Sequence, residues 1–303
     1  MNARIQQCLV GLKLLLSLLA LLWGWRSGQA GFAVFLLALI FGFSGLVMLL
    51  VFAVLPSINR AGPAMPPLAL LRAWACEWVA YERIFSWQQP FAEHRYPDYL
   101  PKGNSTRAVL LVHGFSCNRG LWNPWMRRLR AQGTPCVALT LEPAFGSIDG
   151  YAAQIESALQ ALARLGGPPP VIVAHSMGGL AVRAWLRRYG GSASGESRFS
   201  RVMSLGAPHA GTVMASFSPA VNARQMCRRS AWLDELALAE SPELAARFSC
   251  YFSGFDQVVC PAETAVLSGS TAIEVAGSGH LNLLFEDRVF ADLLQLLAEK
   301  KPC

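Results

Sequence analysis

A serine follows a short apolar run in the stretch VIVAHSMGGL, residues 171–180. A serine on a tight strand-to-helix turn can act as a nucleophile, because its hydroxyl projects from the sheet and the next helix directs free N–H groups at a developing anion. Such a turn needs very small residues two positions before and two after the serine. Around Ser176 these are Ala174 and Gly178. Alanine replaces the usual glycine, so the stretch predicts a nucleophile turn, with a glycine-rich packing turn as the alternative.

A serine nucleophile needs a general base, and the base needs an acid that orients it. Only His209 and His280 follow Ser176 in the chain. His280 lies in VAGSGHLNLL, on a flexible loop between a predicted strand and a predicted helix, and we expect it to be the base. Asp256 follows another predicted strand and gives the chain order Ser, Asp, His. We interpret His209, which precedes the acid, as a structural loop residue that lines the cleft.

The oxyanion of an acyl-transfer reaction requires two backbone N–H donors. Met177, directly after the predicted nucleophile, is expected to supply one of them. The loop VHGFS after the first apolar run of this part of the chain is expected to supply the other, through Phe115. Gly114 lets that backbone come close to the serine. His113 is expected to orient the loop rather than to transfer protons.

Six apolar runs and the helix-like segments between them must position these residues. The runs are at 108–112, 136–141, 171–174, 202–205, 249–252 and 272–275, and the helix-like segments are at about 120–132, 148–165, 177–190 and 281–299. Continuous apolar strands that alternate with helices predict an α/β fold with a mostly parallel sheet covered on both faces. In such a sheet, functional residues collect at the carboxyl ends of the strands.

Several blocks of this chain occur in a family-specific order: LLVHGF, LEPAFGSIDGYA, AHSMGGLAVRAWL, SLGAPHAGT, ARQMCRRSAWLDEL, FSGFDQVVCP and VAGSGHLNLL. On these blocks, residues 107 to 299 resemble an α/β-hydrolase of the lipase/esterase type, similar to triacylglycerol lipases. The resemblance implies the α/β-hydrolase fold and hydrolysis of carboxylic esters through an acyl-enzyme, and it implies no metal or organic cofactor. The residues that carry over, in the roles given above, are Ser176, His280, Asp256, Phe115 and Met177.

The first 60 residues have a different composition. The run from Cys8 to Trp25 is apolar except for Lys13 and Ser17, and the run from Gly31 to Leu55 contains no charge. The second run is long enough to cross a hydrocarbon layer of ~30 Å. We predict two transmembrane helices and expect Lys13 to snorkel to the interface. The alternatives are a cleaved signal peptide ending near residue 30 and two buried helices of a soluble protein.

The net charge of +7 is unevenly distributed. Four basic and no acidic residues occur through residue 60, and the other 22 basic and 19 acidic residues balance to +3. Without a Lys/Arg block, this excess argues against nucleic-acid binding. Basic residues flank both ends of the hairpin, whereas its loop carries only Arg26. The positive-inside rule therefore predicts that both ends of the hairpin, and with them the catalytic part, lie in the cytoplasm. We expect a multi-pass protein of a bacterial-type inner membrane.

The chain divides into three predicted parts. Residues 1–60 form the hairpin and residues 61–106 a juxtamembrane connector. Within the connector, a Trp-rich helix at 68–87 either lies on the bilayer or packs on the catalytic part. Residues 107–303 form the catalytic domain, in which an insert at about 213–247 is either a lid or acyl-binding wall or a packed connection.

The cysteines do not indicate whether the protein lies in an oxidising or a reducing compartment. Cys227, Cys250 and Cys260 cluster late in the chain, and a disulfide among them would require an oxidising compartment. Free thiols that pack as small apolar side chains are the alternative.

These features together predict a membrane-anchored serine hydrolase whose substrate is a lipid or another acyl ester and whose other partner is the bilayer. Two alternatives use the same fold. One is an acyltransferase, thioesterase or amidase with the same triad, and the other is a non-catalytic membrane protein that binds a partner. The sequence does not indicate acyl chain length, head group or oligomeric state.

Overall fold

A parallel six-stranded sheet lies at the centre of the computed structural model, which describes residues 2–60, 64–103, 106–190 and 198–299. Residues 61–63 of the proline-rich connector, and Cys303, lie outside this part. The strands are β1 (Val109–Val112), β2 (Cys136–Ala138), β3 (Val171–His175), β4 (Val202–Leu205), β5 (Phe248–Phe252) and β6 (Thr271–Glu274). Their order across the sheet is β2-β1-β3-β4-β5-β6, and every pair is parallel.

The register of the central strands brings their carboxyl ends level. Val112 of β1 pairs with Ala174 of β3. His175 of β3 pairs with Leu205 of β4, which in turn pairs with Tyr251 of β5. All five residues of β3 are buried, as the continuous apolar run predicts for a strand covered on both faces. The loops after β1, β3, β4 and β5 therefore meet at one edge of the sheet.

A helical hairpin precedes the sheet. Helix α1 (Asn2–Ser27) and helix α2 (Ala30–Ile58) are joined by two residues only, and both are long and apolar enough to cross a membrane. Helix α3 (Pro67–Arg83) continues through a π-helical turn (Ile84–Gln88) into the short helix α4 (Gln89–Phe91). The helical region thus extends beyond the predicted Trp-rich helix by one turn.

Helix α3 packs on the hairpin through its tryptophans. Trp74 Nε1 donates to the carbonyl of Gly45 at 2.8 Å, and Trp78 Nε1 donates to Ser44 Oγ at 3.1 Å. A Cβ at Gly45 would lie 2.7 Å from the Trp78 ring, so the close approach requires glycine there. The carboxyl end of α3 also buries Ala80 in the core below the sheet. Helix α3 is therefore packed on both the hairpin and the core below the sheet.

Lys13 does not extend to a free interface, contrary to expectation. Its Nζ lies 3.1 Å from Glu82 Oε2 on α3, and Ser44 Oγ donates to the other oxygen of Glu82 at 2.7 Å. The reason is that the carboxyl end of α3 brings the Glu82 carboxylate against Lys13 of α1 and Ser44 of α2. An ion pair with α3 therefore replaces the snorkelling predicted for Lys13.

The remaining helices cover both faces of the sheet. They are α5 (Asn123–Ala131), α6 (Ala152–Ala163), α7 (Met177–Tyr189), α8 (Val221–Gln225), α9 (Ala231–Leu238), α10 (Pro242–Ala245) and α11 (Asp287–Ala298). Leu110 packs with the core under α6 and α7, whereas its neighbour Leu111 packs with Trp125 of α5 and Phe290 of α11. Alternate strand residues face opposite cores, which confirms the predicted fold class.

The insert at 213–247 forms a 3-10 turn and helices α8 to α10. Leu233 and Leu236 of α9 are buried in the core that contains α7. Arg183 of α7 is almost fully buried and donates to both carboxylate oxygens of Glu240, at 2.5 and 2.9 Å. Phe217 and Leu238 remain exposed. The insert is therefore packed against α7 and leaves a few apolar side chains on its outer surface.

Candidate active site

Ser176 lies on a sharp turn between β3 and α7. Its backbone is in the left-handed region, with φ 55° and ψ −130°, a conformation that is strained for a residue with a side chain. Its N–H donates to the carbonyl of Leu205 at 2.9 Å. A Cβ at Gly178 would lie 2.5 Å from the carbonyl oxygen of Val112, so the turn needs glycine there. Ala174 is fully buried within β3, and the turn accommodates its methyl group.

Asp256 and His280 form a buried pair at the same edge of the sheet. Asp256 Oδ2 lies 2.8 Å from His280 Nδ1. The other oxygen, Oδ1, accepts from the N–H groups of Val258 and Val259, each at 2.8 Å. The carboxylate is therefore fixed by the backbone that follows it, and it holds the imidazole in one orientation.

Opposing effects set the pKa of His280. Burial disfavours the charged imidazolium, but the charge and hydrogen bond of Asp256, together with the charge of Glu77, outweigh burial and raise the pKa of His280 above its ordinary value. When His280 is neutral with its proton on Nδ1, Nε2 carries a free lone pair. The ring then has the tautomer that a general base requires.

Gly206, directly after β4, is not among the site residues predicted from the sequence. Its φ is 55°, and a Cβ there would lie 2.9 Å from Asp256 Oδ2 and 3.1 Å from His280 Nδ1. A side chain at this position would therefore separate the acid from the histidine. Its place in SLGAPH, at the carboxyl end of a predicted strand, was the available signal.

His175, the residue before the serine, was also missed. Its Nε2 lies 3.2 Å from the carbonyl oxygen of His280, and the two rings are 4.6 Å apart. Burial and the neighbouring His280 hold the pKa of His175 well below its ordinary value. A neutral His175 donates to that carbonyl and so helps to hold the backbone of His280.

The loop after β1 lies directly against Ser176. A Cβ at Gly114 would be 2.6 Å from Ser176 Cβ and 3.2 Å from its Oγ. Phe115 follows Gly114 in this loop. Met177 is the first residue of α7, and a residue at that position has no acceptor for its N–H within the helix. The structure thus brings both candidate donor segments to the serine.

His113 is a structural element of the same loop. Its Nε2 accepts from the N–H of Leu141 at 2.8 Å, so its proton is on Nδ1, which lies 2.8 Å from the carbonyl oxygen of Gly114. Burial lowers the pKa of His113 to about 4. A ring that is neutral near pH 7 and bridges two loops fits the orienting role expected for this residue.

His209 lies in the loop after β4 and is buried. Its Nε2 lies 2.9 Å from Ser204 Oγ, and its carbonyl accepts from Arg183 Nη1 at 2.7 Å. Burial and the charge of Arg183 hold the pKa of His209 well below its ordinary value. These contacts connect His209 to β4 and α7 and fit a structural role.

A sequence model of the alpha/beta hydrolase family matches residues 109–266, just over half of the chain. The chain belongs to the alpha/beta hydrolase family. The matched range contains Ser176 and Asp256, and His280 follows it. A search by sequence among curated proteins finds no match.

Two solved structures share the fold of this alpha/beta hydrolase at low sequence identity. The mature lipase BlEst2 of Bacillus licheniformis is 14% identical with a TM-score of 0.54, and the alignment covers 65% of this chain and 94% of that one. Lipase B of Aspergillus fumigatus is 15% identical with a TM-score of 0.54, and the alignment covers 65% of this chain and 54% of that one. The family and the lipase-like fold agree with the resemblance in the sequence and support hydrolase activity.

The amino end of α1, outside the matched range, contacts the loop that carries Phe115. Asn2 Nδ2 donates to the carbonyl of Cys117 at 2.7 Å, and Gln6 Nε2 donates to that of Ser116 at 3.1 Å. Ser116 has a positive φ of 58°. The hairpin therefore contacts this strained part of the loop directly.

The carboxyl end of α2 contacts the loop that carries Asp256. Asn59 Nδ2 donates to the carbonyl of Gly254 at 2.7 Å, and Asn59 Oδ1 accepts from the N–H of Ala262 at 2.9 Å. No local motif in the sequence indicated these contacts. The only signal was the occurrence of amide side chains at the ends of otherwise apolar helices.

The described cysteines, including Cys227, Cys250 and Cys260, are free thiols. Within the described ranges, no group of three or more His, Cys, Asp or Glu side chains could hold a metal ion.

Proposed function

We propose that this alpha/beta hydrolase is a membrane-anchored serine hydrolase that cleaves carboxylic esters through an acyl-enzyme on Ser176. One observation carries the proposal: the left-handed turn at Ser176 and the buried His280–Asp256 pair lie at the same edge of the sheet. A strained serine, an imidazole with the correct tautomer and a fixed carboxylate are the components of a nucleophilic triad.

In the first half-reaction, Ser176 Oγ attacks the carbonyl carbon of the ester while His280 Nε2 takes the hydroxyl proton. The carbonyl electron pair moves to oxygen, and the oxyanion accepts hydrogen bonds from the N–H groups of Met177 and Phe115. Collapse of the tetrahedral intermediate breaks the bond to the alkoxy oxygen. His280 gives its proton to this oxygen, and the alcohol leaves.

In the second half-reaction, a water molecule attacks the acyl group on Ser176 and His280 takes one of its protons. The second tetrahedral intermediate is stabilised by the same two N–H groups. When it collapses, Ser176 Oγ leaves and regains its proton from His280, and a carboxylic acid is released. Asp256 remains ionised and stabilises the imidazolium in both halves.

The side chains next to the candidate oxyanion donors favour an apolar acyl group. The rings of Phe115 and Phe145 are in edge-to-face contact, with centroids 5.6 Å apart. Asn222 of α8 is fully buried and donates from Nδ2 to the sulfur of Met177 at 3.5 Å, which fixes that side chain. We infer that Phe115 and Phe145 form an apolar wall of the acyl-binding region.

The hairpin supplies the membrane anchor in this proposal. Outside its contacts with α3 and the sheet, it exposes large apolar side chains along both helices, among them Leu14, Leu18, Trp25, Phe35 and Phe43. A continuous apolar surface of this length is not stable in water. Embedding in a bilayer removes it from water and places Ser176 near ester lipids.

We propose that the catalytic part lies in the cytoplasm, because the basic residues of the hairpin flank its two ends. Protease treatment of sealed inside-out and right-side-out vesicles tests this orientation. Digestion of the catalytic part in inside-out vesicles only is the expected result, and digestion in right-side-out vesicles only would reverse the proposed orientation.

A fluorophosphonate probe and a panel of p-nitrophenyl esters and phospholipids test the chemistry on the detergent-solubilised full chain. We expect labelling and ester hydrolysis by the wild type and neither by Ser176→Ala. Labelling that persists in Ser176→Ala would assign the nucleophile to another serine. A wild type that is neither labelled nor active would favour the non-catalytic binding alternative. An acyl group recovered on an added alcohol, thiol or amine instead of as free acid would favour acyl transfer.

A further inference from the structure

Helix α3 places a buried carboxylate against the loop of His280. Glu77 is fully buried, although it is a charged residue outside the matched family range. Its two oxygens accept from the N–H of Leu281, at 2.8 and 3.0 Å, and Oε2 accepts from the N–H of Asn282 at 2.9 Å. These are the two residues that follow the histidine. The carboxylate therefore fixes the backbone immediately beyond His280.

Glu77 also connects the histidine loop to the loop of the acid. Gln257, next to Asp256, donates from Nε2 to Glu77 Oε1 at 2.9 Å, while its Oε1 accepts from the N–H of His280 at 3.3 Å. On the other side of the histidine, a Cβ at Gly279 would lie 2.5 Å from Glu77 Oε2. The two loops thus close around one carboxylate.

The hydrogen-bond partners of Glu77 favour its ionised form. All of them are N–H donors, and an ionised carboxylate accepts without donating. Burial raises the pKa of Glu77 above its ordinary value, and the bonds from Leu281, Gln257 and Asn282 and the charge of His280 offset only part of this rise. Next to His280, the charged or titratable groups are Asp256, Glu77 and the buried, neutral His175.

We propose that Glu77 is a positioning residue for catalysis, which reaches the site from α3 and holds the backbone of His280 so that its ring stays aligned with Asp256 and Ser176. The catalytic consequence of this proposal rests on the proposed function. The contact between Glu77 and the histidine loop does not depend on it. Because α3 also packs on α2, Glu77 connects the membrane hairpin to the histidine loop.

Glu82, on the same helix, is a matched control. Its carboxylate accepts from Lys13, Ser44 and Ser86, all outside the catalytic loops. Glu77→Gln and Glu82→Gln therefore each remove one negative charge from α3 and preserve the shape of the side chain. Only the first change removes a contact to the histidine loop.

Hydrogen exchange measured by mass spectrometry on the full chain in detergent tests the structural part. In Glu77→Ala, the amides of Leu281 and Asn282 lose their acceptor, so a peptide covering residues 276–285 should exchange at least about tenfold faster than in the wild type. Glu82→Gln should leave this peptide unchanged. Unchanged exchange in Glu77→Ala would overturn the proposal. If Glu77→Ala does not fold, the exchange of Glu77→Gln is measured in its place.

The pH dependence of p-nitrophenyl ester hydrolysis tests the catalytic part. Glu77→Ala should lower kcat by about 30- to 100-fold with KM changed less than about threefold, because a misplaced base affects the chemical step. Glu77→Gln should lower kcat by about tenfold. It should also move the acid limb of kcat/KM to lower pH by about half a unit, because loss of a negative charge disfavours the imidazolium. A purely structural role would not move the limb.

The outcomes separate this proposal from the proposed function. Wild-type kcat and an unmoved acid limb in Glu77→Gln would overturn the positioning role, as would an equal loss of activity in Glu82→Gln. If the wild type hydrolyses no ester and takes no fluorophosphonate, the proposed function fails. Faster exchange at residues 281 and 282 in Glu77→Ala would then still support the contact between α3 and the histidine loop.

Discussion

The sheet and the helices that precede it contribute to the loops of the candidate active site in different ways. The sheet carries two of the groups proposed to act in catalysis: Ser176 after β3 and Asp256 after β5. The helices before the sheet contribute side chains that bind only the backbone or neighbouring side chains of those loops, and Asn59 and Glu77 are the clearest cases. The sheet is therefore proposed to supply the chemistry, and the helices its alignment.

Because of this difference, a family fold can be coupled to a segment outside it without changes to its reactive side chains. The contacts from the helices go mostly to carbonyl and N–H groups, so they need no particular side chain on the loop. They do need the helix to be docked at one position, since hydrogen bonds weaken steeply with distance and angle. Substitutions in the sheet part should thus abolish activity, whereas those in the helices should reduce it.

The largest expected effect is that of Asp256→Asn. An amide at this position cannot hold the imidazole in the tautomer with its proton on Nδ1, so we expect kcat to fall by about 1,000- to 10,000-fold. Steady-state hydrolysis of a p-nitrophenyl ester measures this, with the melting temperature as a check on folding. A folded Asp256→Asn protein within tenfold of the wild type would show that another group orients His280.

A smaller but still large effect is expected from Gly206→Ala. The methyl group would enter the contact between Asp256 and His280, so kcat should fall by about 100-fold. Gly133→Ala is the matched control, because Gly133 also has a positive φ, of 69°, but no atom lies within 4 Å of its added Cβ. Equal losses of activity in the two variants would attribute the effect to backbone strain and not to the histidine.

The sequence predicted the part of the site that is locally encoded. A strand, a tight turn and a helix create the geometry of Ser176 by themselves, and the Gly-Ser-Gly loop indicates His280. In contrast, the contact of Glu77 with Leu281 spans 204 positions and has no local pattern. Gly206 was not predicted because it matters only through its missing side chain, which leaves room for the contact between Asp256 and His280. These two residues come together only in the folded chain. Lys13 forms an ion pair because α3 packs on the hairpin, a contact that no sequence pattern indicated.

The pH dependence of ester hydrolysis reports how the sheet and the helices before it each affect the pKa of His280. Because His280 must be neutral to act as a base and its pKa is raised, kcat/KM of the wild type should fall about tenfold per unit below a limb that lies above pH 6.5. Asp256 in the sheet part contributes more to this rise than Glu77. The limb in Glu77→Gln should therefore shift only part of the way toward pH 6.5. A wild-type limb below pH 6.5 would contradict the raised pKa.

The smallest effect is expected at the end of α2. Asn59→Ala removes the acceptor of the Ala262 N–H and the donor to the Gly254 carbonyl, on either side of Asp256. Leaving these groups without their bonds should cost about 1–3 kcal/mol of unfolding free energy. Because Asp256 is still held by Val258 and Val259, kcat/KM should fall only about three- to tenfold.

Chemical denaturation and ester hydrolysis measure both consequences of Asn59→Ala. Ser57→Ala is its control, since the exposed Ser57 hydroxyl bonds only to the carbonyl of Val54 in its own helix and its loss should change neither quantity. If Asn59→Ala lowers stability but leaves kcat/KM unchanged, the end of α2 anchors the hairpin without aligning the acid. Alignment of the acid and histidine loops from the helices would then be left to α3, with Glu77 as its main source.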